Sequence, residues 1–135
     1  GLDLEMESPG RSVVAHQGAA LVDAIEMAIN DASPAAAELV AAECVVLAET
    51  KDHQNWELIG SVAGRGGVSA KVLQQAYDAV EQQEDHHLYH TKGWARELWL
   101  QSLDIPAVLP PPEEQKDVET AIGAARAEKA RKDYL

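Results

Sequence analysis

Apolar residues recur at spacings of three, four and seven along most of the chain, the period of amphipathic helices. Over 11–31 the stripe is Val14, Leu21, Val22, Ile25, Ala28 and Ile29. Ser33-Pro34 then provides an N-cap and a first-turn proline for a second helix, expected over 34–63. Gly64-Arg65-Gly66-Gly67 interrupts the period and reads as a tight connection. A third helix is expected from Ser69 to Ser102, with Val72, Leu73, Ala76, Val80, His87, Thr91, Ala95 and Leu98 on one face. Gly93 lies within it. One glycine costs about 1 kcal/mol against alanine, enough for a kink but not for a break. Ile105–Pro112 (IPAVLPPP) predicts an extended, proline-rich connector. A last helix over 113–133 has only Val118, Ile122 and Ala125 as an apolar strip and is expected to dock weakly, on a partner subunit. The pattern predicts an all-α protein. Residues 11–104 form an up-down helix bundle, and 105–135 form the connector and a docking C-terminal helix.

Two of these stripes turn polar halfway along, which a purely structural helix avoids. The second passes through Glu43, Thr50 and His53; the third passes through Gln83, Glu84 and His87. Glu84 and His87 are a Glu-x-x-His pair, so both side chains leave one helix face about a turn apart. Glu49 and His53, four apart, do the same on the preceding helix. A turn near residue 65 sets Glu43–Glu49 beside roughly Glu81–His87, and a turn near 32 sets Glu49 beside His16. His16, Glu49, His53, Glu81, Glu84 and His87 are thereby expected in one layer. Ionised carboxylates are very costly to bury together, and a cation removes that cost. Carboxylate oxygen and imidazole nitrogen suit iron or manganese, and zinc as well. Glu49 and Glu84 would bridge or chelate, His53 and His87 would supply nitrogen, and Glu81 and Glu43 are the candidates to complete the shell. His86 and His90 form a separate face, read as supporting or surface residues, with ligation as the lesser alternative.

Composition narrows the partners. The chain has 135 residues and a formal net charge of −12, which repels nucleic acid and anionic membranes. Much of its apolar fraction of 46% is alanine, with no phenylalanine, which favours helix over strand. The single cysteine, Cys44, has apolar neighbours and reads as a small buried hydrophobe; with no disulfide framework, the cytoplasm is expected. No run of about eighteen apolar residues spans a membrane, and no signal peptide is visible. The chain begins with Gly1, which suggests a trimmed N-terminus and a missing piece before it. Trp56, Trp94 and Trp99 read as core or interface anchors. The glycine loop lacks the strand and lysine of a phosphate-binding loop.

The Glu84-Asp85-His86-His87 run, with Glu49 and His53 on the helix before it, resembles the ferritin-like superfamily over about residues 11–104. The second helix departs from that family's pattern, having Thr50 where a Glu is expected and a spacing of four instead of three. The resemblance implies a four-helix bundle, often a dimer, with a di-metal or mononuclear iron or manganese site and redox or oxygen chemistry. Whether the chain is an enzyme stays open. The alternative is a non-catalytic helical dimer or adaptor in which the Glu/His layer is a buried polar network setting register. Homo-oligomerisation, as a dimer or higher, is expected on both readings.

Overall fold

The computed structural model describes residues 5–135, and every regular element among them is helical. The three long helices are α1 (Pro9–Asp31), α2 (Pro34–Ala63) and α3 (Ala70–Ser102). The C-terminal segment comprises α4 (Pro112–Gln115), α5 (Ala121–Ala130) and a 3₁₀ turn (Arg131–Tyr134). None of these helices is long and apolar enough to cross a membrane.

Local chemistry sets the helix starts. Ser8 accepts from the Arg11 N–H, Ser33 from Ala36 and Thr120 from Gly123, which supplies amides that have no partner inside the helix. Prolines stand in the first turns of α1 and α2. Between α2 and α3 the chain reverses through Gly66 and Gly67 at φ 82° and 111°, a region costly for any residue with a Cβ.

Cross-helix contacts show that α2 and α3 run antiparallel. As the α2 position falls from Gly60 through His53 to Glu43, its α3 partner climbs from Tyr77 through Asp85 to Trp99. Gly60 permits the closest of these approaches: a Cβ there would lie 2.8 Å from Tyr77 Cε2. α1 packs along α2 and makes no comparable contact with α3. The long helices thus succeed one another as an open layer. Ala28 is the one buried residue of α1, while Val13, Val14, Val22, Met27 and Ile29 are exposed.

The densest packing lies elsewhere. Leu88, His90, Gly93, Ala95, Glu97 and Leu98 are buried near the end of α3, against Val108, Pro111, Pro112, Val118 and Ala127. The segment expected to dock weakly is therefore bound to its own chain, and polar groups hold it there. Glu97, fully buried, accepts from Arg131 Nε at 2.7 Å, Arg96 Nε at 3.0 Å and the Val108 amide at 2.9 Å. Burial pushes its carboxyl up, but Arg131, the Val108 amide and Arg96 together hold it below the usual carboxylate range. Arg96 also grips Glu113 with two N–H groups at 2.6 and 2.9 Å. Arg131 donates to the Pro106 carbonyl as well.

The single helix expected over 113–133 is interrupted. α4 ends at Gln115, Asp117 adopts φ 49°, and the chain restarts at the Thr120 cap. The break lets Val118 turn into the core. α3 runs unbroken through Gly93, where the missing side chain admits the Glu113 carboxylate and Pro111.

Candidate metal centre

Where α2 faces α3, Glu49, Glu84 and His87 bring one ligand atom each within 4.8 Å of one another. All three are half-buried. His87 Nδ1 lies 4.0 Å from a Glu49 oxygen, beyond hydrogen-bond range and inside the reach of a shared ion. Glu84 Oε2 is inaccessible to solvent and has no hydrogen-bond partner, the one such side-chain atom among the described residues. An orphaned carboxylate oxygen is costly to keep.

Electrostatics fits that geometry. Burial raises the Glu84 pKa first, a hydrogen bond to Asp52 adds to it, and the charges of Asp52 and Glu49 raise it further; His87 pulls the other way. Two carboxylate charges less than 5 Å apart repel by roughly 3–4 kcal/mol at an effective dielectric constant of 20. A proton shared between Glu84 and Asp52 would relieve this repulsion. A divalent cation held among these groups would relieve it as well.

The six residues singled out in the sequence are not all brought together. Glu49, Glu84 and His87 meet. His53 turns from Glu49 and bonds through Nε2 to Asp85 Oδ1 at 2.6 Å, with Glu57 4.0 Å from its other nitrogen. Glu81 is exposed and accepts from the Tyr77 hydroxyl. That bond, then burial, then the charges of Glu81, Asp85 and Glu57 push the phenol up to about 12. His53, Glu81, Glu84 and Asp85 line one polar pocket of about 180 Å³ together with Trp56, Glu57, Tyr77 and Tyr89. Glu84 therefore borders both the triad and this pocket.

His16 is exposed on α1 and belongs to neither group. Its height was well placed, since Gln17, Gly18 and Leu21 share a groove with Leu47, Ala48 and Lys51, but the helix presents those neighbours to α2 instead. The α2–α3 turn spans Gly64–Ser69, further along than residue 65, so His87 comes opposite Glu49, and Glu43 meets Trp99, whose Nε1–H it accepts at 2.6 Å. Asp52 and Asp85 were not singled out. Asp85 stands inside the Glu84–His87 run, and its place opposite His53 follows only from the interhelical register.

The chain matches no family model, no curated protein and no solved structure.

Proposed function

We propose that the protein is a metal-binding helical protein whose site is Glu49, Glu84 and His87, with Asp52 beside it. The buried, partnerless Oε2 of Glu84 carries this reading, since a cation is the ligand that an orphaned carboxylate among acids and an imidazole would accept. Two carboxylates and one imidazole suit iron or manganese, as the ferritin-like resemblance implies, with zinc also compatible. Such an ion, when bound, supplies redox or Lewis-acid chemistry. Glu84 and Glu49 neutralise its charge, His87 supplies nitrogen, and Asp52 takes the Glu84 hydrogen bond when the ion is absent.

The layer of α1, α2 and α3 leaves apolar positions uncovered, Val14, Val22, Met27 and Ile29 among them, which favours a homo-oligomer completing a ferritin-like bundle.

Titration with Mn(II), or with Fe(II) under anaerobic conditions, followed by calorimetry and elemental analysis, tests the reading. The wild type should retain close to one equivalent at this site. Glu84→Gln should fold normally and lose at least about tenfold in affinity, by comparison with the 10–100-fold effects of changes in the shell around ligands. Equal binding by wild type and Glu84→Gln would overturn the site.

A second reading has its own support. The His53–Asp85 and Glu43–Trp99 bonds tie α2 to α3 with polar groups, as expected for a network that sets register in a non-catalytic dimer or adaptor. Absence of any retained transition metal after reconstitution would favour it.

A further inference from the structure

On the adjoining face of α3, His86 and His90 are one helical turn apart, and Asp117 reaches toward them from the loop between α4 and α5. One atom from each of the three lies within 4.8 Å of the other two. We propose that these residues form a second divalent-cation site, of the zinc class, which fastens the C-terminal segment to α3.

The distances favour an ion over a direct bond. His86 Nδ1 and Asp117 Oδ1 are 3.8 Å apart, too far for a hydrogen bond. Ligand atoms on a tetrahedral ion with bonds of about 2.0–2.1 Å lie roughly 3.3 Å from one another, so a small side-chain rotation closes the gap. The two imidazoles are close neighbours, with ring centres 3.7 Å apart and planes inclined by 35°, and would swing apart slightly to share an ion. Positions i and i+4 of a helix hold them on one rigid face.

His90 supplies the anchoring shell. Its Nδ1 lies 2.8 Å from Glu114 Oε2 and its Nε2 lies 3.0 Å from the Val118 carbonyl. Whichever nitrogen turns to the ion, the other keeps an oxygen partner, the arrangement that orients ligating histidines. Glu114 stands outside the three-atom cluster and holds the His90 ring in place. The side chains of His86 and Asp117 are 36% and 81% exposed, so solvent can reach the ion and fill its remaining position. Two imidazoles with one carboxylate match zinc better than the hard cations, which take all-oxygen shells.

The geometry predicts a clasp. With the ion bound, α3 and the α4–α5 loop share a ligand set, and opening the C-terminal segment then requires its release. Its ligand set shares no residue with Glu49, Glu84 and His87, although the His86 and His87 rings are 6.3 Å apart.

Calorimetric titration of the full chain with Zn(II), in a Glu84→Gln background, isolates it. One equivalent should bind there, and His86→Ala and Asp117→Asn should each weaken binding at least about tenfold. Both positions are open to solvent, and circular dichroism would confirm that each variant folds. The second readout is amide hydrogen exchange over 112–130, which should slow on addition of Zn(II) to the Glu84→Gln protein and stay unchanged in the His86→Ala variant. Zn(II) affinity indifferent to both substitutions, or exchange that does not respond to the ion, would overturn the proposal, whatever the fate of the Glu84 site.

Discussion

Gly93→Ala should destabilise the protein, against the rule that alanine strengthens a helix. Helix propensity alone favours the substitution by about 1 kcal/mol. The new Cβ, however, would lie 2.7 Å from Glu113 Oε2, 3.0 Å from Glu113 Cδ and 3.2 Å from Pro111 Cβ. A flexible carboxylate could swing aside, but this one is held by two Arg96 N–H groups at 2.6 and 2.9 Å and its side chain is only 3% exposed. Overpacking a filled core costs about 1–3 kcal/mol, and separating a buried ion pair costs about 3–5 kcal/mol. The net expectation is a loss of about 1–4 kcal/mol, or a fall in Tm on the order of 5–15 °C for a chain of this size. Gly18→Ala is the matched control, since it lies inside α1 with nothing within 4 Å of the added Cβ, and it should gain roughly 0.5–1 kcal/mol. Urea unfolding of both variants at one protein concentration measures the difference. A Gly93→Ala protein as stable as the wild type would refute the claim that the Arg96–Glu113 pair fixes the tail rigidly.

Other expectations follow from the same contacts. Glu97→Ala should cost about 3–5 kcal/mol by stranding Arg131 and the Val108 amide, and limited proteolysis should then cut first within 105–135. Because Glu97 is held below its ordinary pKa, its contribution is complete above the unfolded-state value and disappears as pH falls through the folded-state one; Glu97→Gln should flatten that acid limb of the stability curve. Glu84 has the opposite sign. Its raised pKa means that the metal-free protein loses stability as pH climbs from the ordinary carboxylate value to the raised one, so Glu84→Gln should remove that decline in melting experiments without metal. Glu81→Gln should bring the Tyr77 phenol back from about 12 toward the usual 10, read as tyrosinate absorbance in a spectrophotometric titration.

Much of the helical framework was legible in the residues themselves, because caps, prolines and glycines act on their near neighbours. Ser33-Pro34 opens α2 at Pro34, and Gly66-Gly67 separates α2 from α3. The polar interruptions in two apolar stripes marked His53, Glu84 and His87 as unusual, and the four-residue spacing to His53 marked Glu49. Periodicity also put Glu49 and His53 on one face, but could not say which neighbour each would choose.

That choice belongs to the tertiary structure. A one-turn shift in the α2–α3 register exchanges one partner for another, and the length of the Gly64–Ser69 turn decides it: Glu49 meets Glu84 and His87, while His53 meets Asp85. The same holds for the C-terminal segment. Its apolar strip is too thin to foretell docking, since what binds it are ion pairs between residues 17 and 34 positions apart, Arg96–Glu113 and Glu97–Arg131. Composition and period act locally, so the sequence determined which segments are helices. The pairing of charges across the fold depends on how those helices slide and turn against one another, and only the three-dimensional packing fixed it.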